Sequence, residues 1–340
     1  MLIMNKNYVS WIVKKSGKIF NLKNKDQLLV NFLVANSRAS LTKIGKTMRL
    51  SKVAVFKRIK NLEKKGVILG YSTFINFSKL GFKTYQIGIK TSMTLEQQEE
   101  YLEEINKLPF IIQILKLTKG EWDFIIRIIS NEELILEQIK KILNEDIQDM
   151  DIIESVKVVY SNPNEKEIKF TNINNVEEPS LNKKQLKLLF ELSKNSRESI
   201  VNLSGKTSLS TKTIMSNIKL LKNKGVILSF ITEFNPFIYG NECYLVVIKT
   251  KKRNSDDNLI KSLVKLKSTG AFANLQNPSI ISFHVVSDLN DLKEIEKSLK
   301  PYLNDVSSYK LIKVEEQTKY NLFPDFIYQY LIKKIEGKNF

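Results

Sequence analysis

Apolar positions recur at helical spacing in "DQLLVNFLVA", from Asp26 to Ala35, and predict a first helix that the polar run "NSRAS" closes. A second short helix is predicted from about Leu41 to Thr47, followed by the turn "TMRL". Ser51 suits the N-cap of a third helix, on which Val55, Ile59 and Leu62 share one inward face. Two lysines and Gly66 end that helix. Cations favour its negative end, and glycine accepts the left-handed position just beyond it. "VILGYSTFIN" then reads as extended chain, so the whole segment predicts a winged helix-turn-helix.

The period changes at Phe82. "FKTYQIGIKT" alternates as a strand, and Thr94 with Gln97 forms a capping box for the acidic helix "TLEQQEEYLEEINKL". "PFIIQILKL" and "WDFIIRIIS" are two strands around a tight turn. Ser130 and Glu133 are expected to cap the helix "NEELILEQIKKIL", and "DIIESVKVVY" is a closing strand. The order βαββαβ is that of a ferredoxin-like sandwich.

Sliding the chain by 159 residues repeats the pattern. Between 36 and 76, sixteen of 41 positions are identical, among them Ser37, Arg38, Leu50, Ser51, Ile59, Leu62, Gly66 and Val67. Gly81 matches Gly240, Tyr85 matches Tyr244, and "IKT" recurs. This reads as a tandem duplication of a unit too long for a solenoid repeat. The expected fold is α+β, two copies of a winged helix-turn-helix followed by a βαββαβ domain. The expected boundaries are an N-terminal extension (1–24), a first head (25–76), a first βαββαβ unit (77–160), a polar linker (161–180), a second head (181–235), a second βαββαβ unit (236–320) and a tail (321–340). The extension reads as a basic arm or short hairpin, and the tail as an amphipathic docking helix.

Charge sharpens this division. The chain carries a formal +18, but 25–76 holds +9 and 181–235 holds +7, while 77–160 holds −5. The extension 1–24 adds +5, and this alternation of basic blocks with an acidic one favours a polyanion-binding face. A single cysteine and a single histidine exclude an internal disulfide and argue against structural zinc. Apolar runs are strand-length and no signal peptide is evident, so a cytoplasmic protein without membrane contact is expected.

The third helix of the first head carries Lys52, Lys57, Arg58 and Lys60 on or beside its outer face, with Lys46 and Arg49 at its entry and Ser51 at its start. A helix fits the major groove, where such side chains reach phosphates or guanine edges. In the second head the inward Ile214, Ile218 and Leu221 preserve the packing. The outer candidates there are Ser210, Thr211, Lys212, Thr213, Ser216, Asn217 and Lys219. Lys57 and Arg58 have become Ser216 and Asn217, so the second head is expected to read a different half-site or to grip phosphates only, the alternative being a head that is purely scaffolding.

"NSRAS", "LSKVAVFKRIKNLEKKGVILGY" and "LTKGEWDF" together resemble the Lrp/AsnC (feast/famine) family of prokaryotic transcription regulators. The resemblance covers roughly 26–160 and, more weakly, 182–316. It implies double-stranded DNA as partner, sheet-packed dimers, and an amino acid or similar effector bound near a Gly-x-aromatic-Asp turn. Here that turn is Gly120, Trp122 and Asp123, with Lys119 in place of the usual threonine; a hairpin turn with its polar stabiliser explains the same residues. The second unit has "QNPSI" there and lacks both Gly and Asp. Arg49 and Ser208 stand where the family often has glycine. If the two sandwiches pack on each other, one chain forms a pseudo-dimer; a homo-oligomer is the other arrangement.

Two further classes share these features. An architectural, sequence-tolerant DNA binder suits the lysine surplus, and some siroheme-decarboxylating enzymes share the two-part layout. The enzyme class is disfavoured, since His284 is alone on an alternating strand and no cofactor, nucleophile or metal motif is present. "SGKT" at 204–207 lies inside a helix-turn-helix and lacks the glycine-rich approach of a phosphate loop.

Overall fold

A computed structural model describes residues 13–14, 24–118, 120–155, 157–161, 168–172, 178–235, 237, 241–251, 257–266, 268–274, 279–286 and 288–338. After a two-residue strand β1 (Val13–Lys14) come the first head's helices α1 (Asn24–Ala35), α2 (Leu41–Met48) and α3 (Lys52–Lys64) and its strand β2 (Ile68–Ile75). The first βαββαβ unit holds β3 (Lys83–Thr91), α4 (Leu95–Asn106), β4 (Ile111–Leu117), β5 (Phe124–Ser130), α5 (Ile135–Ile142) and β6 (Ile147–Ser155). Strand β7 (Lys157–Ser161) follows β6, and β8 (Ile168–Asn172) folds back on β7. The segment read as a plain linker therefore contributes a strand, because β7 presents an edge that backbone groups must satisfy.

The second head repeats the order with α6 (Lys183–Lys194), α7 (Ile200–Thr207), α8 (Thr211–Asn223) and β9 (Ile227–Phe234). Its βαββαβ unit holds β10 (Glu242–Thr250), α9 (Asp257–Lys265), β11 (Ser268–Asn274), β12 (Ser279–Val286), α10 (Leu289–Leu299) and β13 (Val306–Tyr320). The tail forms α11 (Asp325–Ile335).

Each unit builds an antiparallel sheet, in the orders β6-β3-β5-β4 and β13-β10-β12-β11. The two sheets are joined reciprocally. Strand β13 pairs with β10 through Val314 and then runs on beside β4 to Tyr320. In the same way β7, the continuation of β6, pairs with β11. On one face each sheet packs its own helices, giving separate cores around Ile87 and Phe124 in the first unit and Val246 and Ile280 in the second. On the other face the sheets share one core, in which Leu115, Trp122 and Ile125 meet Leu245, Val247 and Ile312. The alternation of each strand supplies both faces. A Cβ on Gly88 of β3 would stand 2.4 Å from the Trp122 indole, so the bare backbone there makes room for the largest side chain of that core.

One capping expectation fails. Ser130 ends β5, buried and paired opposite Lys83, and its hydroxyl donates to the Asn131 carbonyl. Helix α5 starts at Ile135 without a side-chain cap, and Asn131 instead accepts from the Leu134 amide in the turn before it. Glu133 accepts from the Tyr330 hydroxyl. The sheet ladder claims Ser130 before a cap can form. The Thr94–Gln97 capping box is present on α4, and a second, Asn182 with Gln185, opens α6.

The heads meet through a two-stranded antiparallel ribbon, β2 with β9. Their surroundings differ. The first head has a core of its own around Leu29, Leu33, Ile44 and Val55. The second head's core continues into α11 and the first βαββαβ unit, with Phe323 stacked on Phe77 at 5.8 Å and Tyr328 stacked on Phe190 at 4.3 Å.

Candidate nucleic-acid interface

The helix-turn-helix geometry is the same in both heads, reached with different residues. Arg49 and Ser208, the C-caps of α2 and α7, have φ of 53° and 54°, the left-handed region that favours glycine. The turn also demands close approach. A Cβ on Gly45 would meet the Leu50 carbonyl oxygen at 2.6 Å, and at the equivalent place Ser204 turns its hydroxyl to donate to the Leu209 carbonyl at 2.6 Å. Ser51 and Ser210 are N-caps, accepting from the Ala54 and Thr213 amides at 3.1 Å each. Each such cap contributes about 1 kcal/mol and aims the helix start. The two serines thus set the helix rather than project from it.

Outward side chains divide into free and committed. Lys46, Arg49, Lys52 and Lys57 are exposed, and none makes a side-chain hydrogen bond or ion pair among the described residues. Lys60 is exposed but pairs with Glu63 at 2.7 Å and lies 5.8 Å over the Phe56 ring. Arg58 does not belong with the exposed set. Its guanidinium is half-buried against α1, donating to Asp26 at 2.6 Å. In the second head the equivalent pair is neutral, Gln185 donating to Asn217 at 3.0 Å. Both candidate base readers therefore tie the third helix to the first. A similar exchange links the third helix to the wing. Tyr71 donates to Glu63 at 2.7 Å, and at the matching positions the Lys222 ammonium sits 4.6 Å from the Phe230 ring. Burial first, then the bond to Glu63, pushes the Tyr71 phenol's pKa up, so it stays a donor.

On α8, Thr211, Lys212, Ser216 and Lys219 are exposed. The Thr213 hydroxyl meets that of Ser210 at 2.8 Å, and Ser216 donates to the Thr213 carbonyl. Lys212 and Lys219 make no side-chain bond within the described residues, so the second face keeps two free cations and a band of hydroxyls.

Sequence reasoning missed the clasp between the heads. Ser37 and Ser196, equivalent residues, meet hydroxyl to hydroxyl at 2.5 Å, both fully buried. Arg38 donates to the Ser196 and Glu198 carbonyls, and Arg197 returns the bonds to those of Ser37 and Ala39. Each guanidinium also lies over an aromatic ring of the ribbon, Arg38 on Phe230 and Arg197 on Tyr71. Burial, then the facing Arg197, pulls the Arg38 pKa down, and burial does the same for Arg197. The detectable signal was the identity of "NSR" in two loops, at polar positions that a head's own apolar core does not call for.

The turn read as a ligand site joins the two units. Trp122 is 2% exposed in the shared core, and its indole N–H donates to Asp151 at 2.9 Å. Asp123 accepts from Lys90 at 2.8 Å and from the Thr91 amide. Gly120 is exposed, with its carbonyl 3.3 Å from Lys90 Nζ. Between them Glu121 bridges to Lys249 and Lys310 of the second unit, both at 2.9 Å. Burial raises the Glu121 pKa, but the bonds from Lys310 and Lys249 outweigh it and hold the carboxyl below its ordinary range. Lys119 and most of "QNPSI" lie outside the described residues. A cleft of about 240 Å³ beside Thr118, lined by Phe237, Glu242 and Lys313, is smaller than the roughly 300–1,000 Å³ usual for small-molecule sites. His284 is 1% exposed, bonded through Nε2 to Ser282 at 2.8 Å. Among the described residues no acidic, histidine or cysteine cluster could hold a metal, and no helix is long and apolar enough to cross a membrane.

Comparison with known proteins adds four findings. Residues 181–227 match the family model described as winged helix-turn-helix DNA-binding. The HTH-type transcriptional regulator LrpA of Pyrococcus abyssi is 35% identical over 98 residues, 28% of this chain and 67% of that one. An uncharacterized HTH-type transcriptional regulator of Pyrococcus furiosus is 32% identical over 140 residues, 40% of this chain and 90% of its own. Among solved structures, the siroheme decarboxylase NirDL aligns over 92% of this chain and 99% of its own, with a TM-score of 0.59 at 10% identity. At that identity the likeness is one of fold.

Proposed function

Because the chain belongs to the Lrp/AsnC family of HTH-type transcriptional regulators, we propose that it binds DNA as a built-in pair of unlike heads, one molecule serving where two identical subunits would otherwise meet. The observation that carries this is the clasp. Ser37, Arg38, Ser196 and Arg197 hold the two heads in one relative orientation through buried, reciprocal bonds. The outer faces of α3 and α8 differ at most positions. A fixed pair of unlike faces favours an asymmetric site and a defined half-site spacing.

In this reading Lys46, Arg49, Lys52, Lys57 and Lys60 of the first head, and Thr211, Lys212, Ser216 and Lys219 of the second, meet DNA. Ser51, Ser210, Thr213, Arg58 and Asn217 set the helices that carry them. Phosphate contacts supply affinity, and the face of each third helix supplies sequence preference. An amino-acid effector would engage the turn through Gly120 and Asp123, since Trp122 is sealed in the core; thermal melting with a panel of amino acids checks it.

The test is binding of the full chain to selected and random duplexes across a salt series. A large specificity ratio supports the regulator, whereas equal affinities with steep salt slopes indicate an architectural binder. Loosening the clasp with Arg38→Ala and Arg197→Ala should weaken binding to two spaced half-sites more than to one. We read the chain as a regulator rather than an enzyme. A tetrapyrrole absorption band that persists through gel filtration after addition of an iron porphyrin would count against that.

A further inference from the structure

The outward line of α3, opposite the buried Val55, Ile59 and Leu62, runs through Val53, Lys57, Lys60 and Lys64 at helical spacing. Val53 is 62% exposed and Phe56 is 48% exposed, and neither belongs to the head's core. These apolar side chains stand beside Lys52 and Lys57, unpaired among the described residues, and Lys60, paired with Glu63, lies over the Phe56 ring. The helix has no arginine to spare for guanine, since Arg58 is held by Asp26 and Arg49 belongs to the turn before the helix.

We propose that the first head recognises thymine through its C5-methyl group, with Val53 and Phe56 as the specificity-determining residues. The inference rests on the DNA-binding reading above and deepens it. First-turn residues of a recognition helix meet base edges, and the thymine methyl is the apolar feature of the major groove. Val53 stands in the first turn and Phe56 close behind it. Lys52 and Lys57, exposed beside them, hold phosphates, so charge complementarity places the apolar pair against the base edges rather than against another protein.

The second head differs at one of the two places. Lys212 stands where the first head has Val53, and Met215 replaces Phe56 with 63% exposure. The second face therefore keeps one apolar contact and offers an ammonium where the other was, a group suited to the guanine O6 and N7 acceptors. One half of the site reads thymine at two places, and the other reads thymine once beside a guanine.

The experiment uses the full chain and a duplex selected by it from random sequence. Each thymine is replaced in turn by deoxyuridine, which removes only the methyl. Loss of one buried methyl contact is expected to weaken binding about fourfold. The sensitive positions should number two in one half-site and one in the other. The variant Val53→Ser with Phe56→Ser should bind more weakly and lose the sensitivity of the first half-site alone. Wild-type binding indifferent to every replacement overturns the proposal while leaving sequence-specific binding intact, as does a variant that keeps the full sensitivity. A selection that enriches no sequence overturns both this inference and the regulator reading. The wild-type arm needs no variant to fold.

Discussion

Exchanging the tie between the first and third helices of one head for that of the other separates a structural role for Arg58 from a DNA-reading one. The Arg58–Asp26 pair is 2.6 Å long, with side chains 33% and 15% exposed. Fully exposed pairs contribute about 0–1 kcal/mol, and hydrogen bonds to charged groups about 1.5–3 kcal/mol, so this half-buried pair is worth about 1 kcal/mol. Arg58→Asn alone leaves the mostly buried Asp26 carboxylate without that partner and should cost about 1–2 kcal/mol. Adding Asp26→Gln installs the second head's own pair, Gln185 with Asn217, and should restore stability to within about 0.5 kcal/mol. Thermal denaturation followed by circular dichroism reads the first quantity, and fluorescence anisotropy with a selected duplex reads the second. If Arg58 only positions α3, the double variant binds DNA within about threefold of wild type. A base-reading Arg58 predicts a loss of about 1–3 kcal/mol, roughly fivefold to 150-fold, that the second substitution leaves unrecovered. A double variant with wild-type stability and such a loss refutes the assignment.

Three other outcomes follow from particular contacts. Ser208→Gly removes a side chain from a left-handed position and should raise stability by about 0.5–1 kcal/mol, measured as an increase in Tm. Gly88→Ala drives a methyl into the Trp122 indole and should cost about 1–3 kcal/mol, with Trp122→Phe in the same chain recovering part of it. His284 is held neutral by burial, its pKa pushed down to about 4 from 6.5. The unfolded chain binds that proton first, so its stabilising contribution is complete above about pH 6.5 and falls as pH drops toward 4, by about 1.4 kcal/mol per unit. Urea midpoints at pH 7 and pH 5 should therefore differ less in His284→Gln than in wild type.

Most of the local order was legible. Val55, Ile59 and Leu62 recur at a spacing that only a helix places on one face, and Ser51, Gly66 and the Thr94–Gln97 box act within a few residues of themselves. What was not legible shares a cause. Ser130 has the composition of a cap, but its backbone was already committed to a ladder with Lys83, far away in sequence. Arg58 has the chemistry of a base reader, yet Asp26 lies within reach only once α1 and α3 cross. The exchange of Asp26 and Arg58 for Gln185 and Asn217 was visible in the repeat, but nothing local marks those positions as partners.

Periodicity and charge in the chain were enough to decide the two-fold repeat, the helix-turn-helix order, the βαββαβ order and the basic character of the heads. Each depends on residues that are neighbours along the backbone. Folding decided how the copies meet. The strand exchange between β13 and β4, the shared core around Trp122, the Ser37–Ser196 contact and the docking of α11 all join residues that a linear pattern leaves unrelated. Buried polar groups must find partners wherever the chain brings them. That requirement, more than composition, determined which polar side chains of the third helices are tied down.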